Sequence, residues 1–587
     1  MASWTGIRKK YFGMDPVSTR PIRLKFLVFL ILLAFVAVGI RITYFAIDPG
    51  QNSVSSPTNN LKKVFNRGDI LDRNGVLLAS NLPAYSIYAH PKEIDKDKVD
   101  DFLDALEAID PPIHFDRDRE KQKLLSDKNF AWIHKRISPD QSQKVNQITI
   151  KGIYTGEREV RVYPNGRLAA HVLGGTSFGE EHVNKAEIIG VAGVEKYFNN
   201  LLNNNDSSRT DLELSIDIRA QQILTEMLCL GIDEFNALGG SAILMNVHTG
   251  EIISLVSIPD FDPNRRDEFI TTDTKGTDDN KCINDSKNTD DGKKLDPLFN
   301  MVTQGIYELG STFKIFSAAM ALDKNHYQRD SIISTRPIEI MGKQFKDYRD
   351  HHEMTVMEAV ARSKNTAAIR MALVIGNQAQ RKFLMDLGFD KKSDVQLHES
   401  SSPLVPSEKN WNNLTLATVS FGHGMSITPL HLASAYAILV NGGYKVYPTL
   451  LRANGVEQGE RVISPNTSKD VVSLLLNVVE NGTARDSRIE GYLVGGKTGT
   501  SEKVGTDGKY IEDRNFVIFA SVFSGEKPNY SLVVMLDEAS TRDGSDYERQ
   551  AGHTVVPLTG EIIARLGPVL DVVPENQSPE SNILASK

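Results

Sequence analysis

The chain has 587 residues, too many for one ordinary domain, so two or three are expected. It is 40% hydrophobic and 24% charged, a globular composition with ample material for a core. A net charge of −8 with no long basic stripe argues against a nucleic-acid binder.

Residues 26–47 are predominantly apolar and uncharged apart from Arg41. At about 1.5 Å per residue this run reaches about 33 Å, enough to cross a hydrocarbon core of about 30 Å. Arg8, Lys9, Lys10, Arg20, Arg23 and Lys25 precede it against a single Asp15. The positive-inside rule therefore predicts a cytoplasmic tail over 1–25, a transmembrane anchor over 26–47, and the remainder outside the cell membrane. The competing reading is a cleaved signal peptide, because Ala37-Val38-Gly39 has small residues at suitable offsets. Arg41 either snorkels to the outer interface or contacts a partner helix.

Residues 48–60, rich in Asn, Ser, Pro and Gly, read as a linker. A first extramembrane region, 61–210, opens with Arg67-Gly68-Asp69-Ile70-Leu71-Asp72-Arg73-Asn74-Gly75, in which Asn74-Gly75 signals a tight turn. It closes on the polar tract Asn203-Asn204-Asn205-Asp206-Ser207-Ser208. No nucleophile stands beside a base in this region, and its reading is structural.

The second region, 211–572, opens with an amphipathic helix over 218–235 and a hairpin of 242–247 with 252–257. A second hairpin, 515–523 with 530–536, lies near its end. Helices are expected at 355–361, 365–373, 429–440 and 470–479. Strands at both ends with helices between predict an α+β fold in which the two ends share one antiparallel sheet. Residues 271–294 read as an exposed insertion and 573–587 as a disordered tail. Cys229 reads as a core residue and Cys282 as a loop residue, two free or buried thiols with no metal spacing and no disulfide framework.

Three short elements of the second region carry chemistry. In Gly310-Ser311-Thr312-Phe313-Lys314, Ser311 and Lys314 are spaced to share one face of a first helical turn. A serine hydroxyl needs an adjacent base, and a desolvated lysine is one. The bland alternative is a capping serine before a surface lysine. Ser363-Lys364-Asn365 offers a hydroxyl to relay a proton and an amide to hold a peptide, although many helix starts look the same. Lys497-Thr498-Gly499-Thr500 follows Val494-Gly495-Gly496 on an expected strand. Its Lys and Thr groups suit a carboxylate, and its Gly permits close backbone approach. The conjunction, in this order, is the signal.

At these residues the chain resembles the penicillin-recognising acyl-serine enzymes, whose pattern is S-x-x-K, S-x-N, K-T-G. Tyr307-Glu308-Leu309-Gly310-Ser311-Thr312-Phe313-Lys314 is similar to the nucleophile motif of the class B penicillin-binding proteins, which usually carry Pro where this chain has Leu309. Arg67 to Gly75, Arg161-Val162-Tyr163-Pro164 and Gly193-Val194-Glu195-Lys196 resemble the pedestal of that class. Asp260-Phe261-Asp262-Pro263-Asn264 and Phe421-Gly422-His423-Gly424-Met425-Ser426-Ile427-Thr428-Pro429-Leu430 resemble its catalytic domain. Residues 420–430 and the overall length look more like the division-specific branch than the elongation branch.

The resemblance implies a transmembrane helix, a mixed non-catalytic pedestal over 61–210 and a transpeptidase domain over 211–572. Its activity would be peptidoglycan D,D-transpeptidation through an acyl-serine, without metal or organic cofactor. Ser311, Lys314 and Ser363 would be catalytic, and Asn365, Lys497, Thr498, Gly499 and Thr500 would bind substrate. The partners implied are stem peptides (a D-Ala-D-Ala donor and an amine acceptor), β-lactams, a membrane glycan polymerase and other division proteins. The expected place is the inner membrane, catalytic domain outside, at the septum. Rivals are an elongation enzyme, a carboxypeptidase, a β-lactamase or sensor suggested by Glu408 and Asn412, and a division scaffold acting through residues 1–210.

Overall fold

The computed structural model describes residues 67–269 and 295–574, apart from 184, 204–209, 350–351, 454, 457, 506–508, 526 and 541–549, together with 32, 33, 35, 36 and 282. The chain divides into two compact units, Met1–Val64 and Phe65–Lys587. In the first, Leu32, Leu33, Phe35 and Val36 are helical with exposed side chains. The rest of the expected anchor lies outside the described residues, as do 1–25 and the linker 48–60. Among the described residues no helix is long and apolar enough to cross a membrane.

The second unit begins with a sheet. Strand β1 (Ile70–Leu71) turns back into β2 (Leu77–Ala89), and Gly75 sits at φ +80° in the turn that Asn74-Gly75 signalled. Asp72 fixes this turn by accepting from the backbone N–H of Asn74 at 2.7 Å and of Val76 at 2.8 Å. Strands β3 (Ala131–Ile137) and β4 (Ile153–Val162) flank β2. Alternation along β2 turns Ile87 and Ala89 onto a small core closed by α1 (Val99–Glu107), α2 (Arg117–Leu124) and α3 (Pro139–Gln147). A ribbon of β5 (Gly175–His182) and β6 (Lys185–Ala192) follows, and β7 (Leu212–Glu213) returns to pair in parallel with β1.

The three pedestal-like stretches converge on one carboxylate. Glu195 is fully buried and accepts from Arg67 Nη2 at 2.6 Å and Nε at 2.8 Å, and from Arg161 Nε at 2.7 Å. Arg67 also donates to Asn199 at 2.9 Å and Asn203 at 2.8 Å, and Arg161 to the Gly68 carbonyl at 2.8 Å. Charges this deep persist only when paired and hydrogen-bonded, so this network ties β4, the start of β1 and the segment after β6 into one piece.

The remainder forms a five-stranded antiparallel sheet built from both ends of the segment, as expected. Its strands are β8 (Gly239–Asn246), β9 (Ile252–Ile258), β10 (Val494–Val504), β11 (Tyr510–Phe523) and β12 (Tyr530–Asp537), in the order β10-β11-β12-β8-β9. Register places Lys497 opposite Ala520 and Asp537 opposite Gly239, with irregularities between Glu502 and Val504 and between Leu244 and Met245. Helices α4 (Ile218–Glu234) and α10 (Val555–Val569) pack together against the sheet, so closely that a Cβ on Gly231 would lie 2.3 Å from Leu558. Between the hairpins in sequence come α5 (Lys314–Asp323), α6 (Val356–Ala361), α7 (Asn365–Ile375), α8 (Pro429–Val440) and α9 (Pro465–Asn481). Every residue of α8 is buried, the mark of a helix apolar on all sides. Helix α9 starts five residues before the expected Asp470, because Ser464 caps it through Thr467 N–H at 3.1 Å and Pro465 is preset for the first turn.

One sequence reading is corrected. Cys229 and Cys282 are not free thiols but a disulfide, linking α4 to the insertion across 53 residues. Two cysteines at such a separation give no local spacing signal, so only the fold brings them together. Of the insertion, 271–294, Cys282 alone is among the described residues.

Candidate active site

The three motifs meet at the edge of the sheet. Ser311 lies in a 3-10 turn, Gly310–Phe313, that runs directly into α5. This refines the expectation of a single helical turn. In a 3-10 turn residues i and i+3 eclipse, so Ser311, which is half-buried, and Lys314, which is buried, still share a face.

Several contacts hold this turn. Tyr307 and Ile427 exchange two backbone hydrogen bonds of 3.0 Å, and Gly310 N–H donates to Gly422 at 3.2 Å. Tyr436 of α8 donates its hydroxyl to the Thr312 carbonyl at 2.9 Å, and Thr312 Oγ1 donates to Leu309 at 2.8 Å. Leu309 is fully buried, and its carbonyl does the local work. Gly310 takes φ +52°, and a Cβ there would stand 2.7 Å from the Thr500 carbonyl. Across the gap, a Cβ on Gly499 would stand 2.6 Å from the Leu309 carbonyl. The close approach at Gly499 is therefore made by the chain's own turn, and two glycines let turn and strand abut.

Ser363 follows α6 at φ +56°, left-handed and costly for a non-glycine residue by roughly 1–3 kcal/mol. In that position its hydroxyl oxygen accepts from Lys314 Nζ at 2.9 Å and from Lys497 Nζ at 3.0 Å. Lys314 also donates to the Ser363 carbonyl at 2.5 Å. With both acceptor positions filled, the Ser363 proton is the part of the group left to donate elsewhere. Asn365 begins α7, its backbone N–H donating to Asp347 at 2.6 Å. Thr366 Oγ1 donates to the same carboxylate at 2.5 Å.

Lys497 is fully buried on β10 and also donates to the Thr498 carbonyl at 3.1 Å. Thr498 shares a hydrogen bond of 2.8 Å with Thr483, and Thr500 Oγ1 accepts from Ala551 N–H at 3.4 Å. The strand thus presents threonine hydroxyls while its lysine stands behind them, reaching Ser363.

Burial dominates the electrostatics. It pulls Lys314 down to about 7, opposed by Asp347 and assisted by Lys364. Burial, and then the charge of Lys314, hold Lys497 well below the ordinary lysine value. Two ammonium groups on one hydroxyl in a desolvated site disfavour each other, so a proton on one discourages a proton on the other.

All eight expected residues lie on the elements that meet here. Asp347 was not among the expected residues. It lies 18 positions before Asn365 with no local signal, on the segment between the strand Lys343–Phe345 and the strand Glu353–Thr355. The Glu408 and Asn412 pattern has a structural account. Glu408 is exposed on a 3-10 turn, and Asn412 caps a helix through Leu414 N–H at 2.9 Å.

Comparison with known proteins agrees in both regions. A family model described as the penicillin-binding protein transpeptidase domain matches residues 240–562, and one described as the penicillin-binding protein dimerisation domain matches 62–213. The chain is 30% identical to the probable peptidoglycan D,D-transpeptidase FtsI of Caulobacter vibrioides, over 88% of this chain and 85% of that protein. It is 27% identical to the peptidoglycan D,D-transpeptidase FtsI of Escherichia coli K12, over 87% of this chain and 84% of that one. Stage V sporulation protein D of Bacillus subtilis is 28% identical over 95% and 87% respectively.

Proposed function

The chain belongs to the penicillin-binding protein transpeptidase family, and on that premise we propose that it cross-links peptidoglycan stem peptides through an acyl-enzyme on Ser311. The observation that carries the assignment of residues is the Ser363 hydroxyl held between Lys314 and Lys497, beside the turn that bears Ser311.

The donor stem, ending in D-Ala-D-Ala, lies along β10 with its terminal carboxylate at the hydroxyls of Thr498 and Thr500 and the charge of Lys497 behind them. Lys314, brought to about 7 by desolvation and so partly neutral near that pH, takes the Ser311 proton in its neutral form. Ser311 attacks the penultimate carbonyl, and the backbone N–H groups of Ser311 and Thr500 stabilise the oxyanion, each worth about 3 kcal/mol. Ser363 passes its proton to the departing D-Ala and is reprotonated from the lysine pair. Asn365 holds the donor backbone, and Gly499 keeps strand and turn in contact. An amine of a second stem then takes the acyl group. A β-lactam follows the same path and stops at the ester.

Two of the relatives named above carry the FtsI name, and residues 420–430 resemble the division branch, which supports a role in septum formation. Residues 26–47 anchor the enzyme in the cytoplasmic membrane with the catalytic domain outside, beside a glycan polymerase and other division proteins. Incubation with a fluorescent penicillin, followed by peptide mapping, tests the central assignment. The label is expected on the Ser311 peptide, and its appearance on any other residue overturns the assignment. Rapid turnover of nitrocefin would make the chain a β-lactamase instead, and transfer to water in preference to amines a carboxypeptidase.

A further inference from the structure

Deacylation by an amine leaves one proton without a destination. An acceptor ammonium brings three N–H protons, and the new amide keeps one. As the ester C–O bond breaks, a second returns through Lys314 to the Ser311 oxygen. The third must leave the amine before it can attack. Lys314 has to carry the other proton, and burial and the charge of Lys314 disfavour a proton on Lys497.

One titratable group next to this set is unused. His423 follows Gly422, whose Cβ position lies 2.0 Å from the carbonyl of Gly310, the residue before Ser311. Its half-buried ring lies 5.1 Å from that of Phe421 and 6.3 Å from that of Tyr510. Nδ1 is buried, which makes Nε2 the better placed nitrogen for exchange with solvent. The charged groups that His423 feels are Glu308 and Glu502, which favour its cation, and Lys314, which disfavours it. Glu308 is fixed, accepting from Gly424 N–H at 2.7 Å and from the Tyr510 hydroxyl at 2.9 Å. Glu502 is exposed on β10, two residues past Thr500.

Resting on the Ser311 reading above, we propose that His423 Nε2 takes the surplus proton of the acceptor ammonium, in a niche where Glu308 and Glu502 favour a bound cation. Burial holds the imidazole below its ordinary value, so it is neutral and able to accept near pH 7. On transfer the amine N–H bond breaks and Nε2–H forms. The amine lone pair then attacks the ester carbonyl, and the imidazolium releases its proton to solvent. Water needs no such step, since its oxygen is neutral when it attacks.

The test uses the full chain with a thiolester analogue of an acyl-D-Ala donor and D-alanine as the acceptor amine. Aminolysis and hydrolysis products are counted per acyl-enzyme formed by the same preparation, across pH. In His423→Asn the ratio of aminolysis to hydrolysis is expected to fall about a hundredfold near pH 7. The deficit should shrink as pH passes the amine's own pKa, and in the parent chain the ratio should fall as pH drops below the imidazole range. Glu502→Gln should raise the KM for the amine with little change in kcat. An acyl-enzyme of His423→Asn that partitions as the parent does overturns the proposal. So does an equal loss of aminolysis and hydrolysis at every pH, which would give His423 a packing role. Failure of the parent chain to form any acyl-enzyme on Ser311 overturns the reading beneath it as well.

Discussion

Ser311→Ala removes one half-buried hydroxyl from a turn held by its neighbours' hydrogen bonds. Covalent penicillin labelling should vanish while the unfolding midpoint moves by no more than about 0.5 kcal/mol in equivalent stability. Lys314 titrates at about 7, and its neutral form is the base. The acylation rate should therefore rise with pH through about 7 to a plateau, read by stopped-flow with a chromogenic β-lactam. Asp347 favours the charged lysine, so Asp347→Asn should move that acid limb to lower pH. The stability sign follows from the same group. Its folded value lies below its unfolded one, so between about 7 and the ordinary lysine value the unfolded chain holds the extra proton, and folding grows more stable as pH rises. Below about 7 both states are protonated and the penalty is fully present. Lys314→Met should thus abolish acylation yet stabilise the fold by about 1–2 kcal/mol near pH 7, a gain that shrinks toward pH 10. Chemical denaturation at several pH values checks it.

At the scale of elements, the contact of the 3-10 turn with β10 sets the geometry. Gly499→Ala places a methyl 2.6 Å from the Leu309 carbonyl and 2.9 Å from Thr312 Cγ2. The turn must then back away from the strand, and overpacking of this kind costs about 1–3 kcal/mol. Acylation should slow by more than the melting shift explains, because Ser311 and Thr500 separate. Most elements were legible in the sequence: α8 was expected at its observed bounds, and both hairpins followed from apolar runs flanking polar turns. The starts that moved furthest, α9 and β11, are ends where capping or pairing extends an element beyond its apolar pattern. Ser363 at φ +56° could not be read, because no propensity rule puts a serine there, and packing imposes it.

Across the whole molecule, the Arg67, Arg161 and Glu195 network has two guanidinium groups on one buried carboxylate. Glu195→Ala leaves both uncompensated and should cost about 3–5 kcal/mol, seen as a lower urea midpoint. Residues 26–47, if they anchor the chain, should keep the mature protein in carbonate-washed membranes. A mature N-terminus near Ile40 would mean a cleaved signal peptide. Arg41, outside the described residues, is the position there whose replacement by Leu should test a partner helix, through co-purification with a polymerase.

The sequence by itself determined the α+β class, the closure of one sheet from both ends of a long segment, and the order of the three chemical motifs. Each rests on periodicity or on residues adjacent in the chain. Tertiary structure alone decided what required distant residues to share a space. It joined Cys229 to Cys282, gathered three arginine- and glutamate-bearing stretches around Glu195, and set Asp347 at the start of α7. It also turned Lys497 inward to meet Lys314 on the Ser363 hydroxyl. Desolvation, which pulls Lys314 toward neutrality, is a property of the surroundings and not of the residue, so no reading of the chain in one dimension contains it.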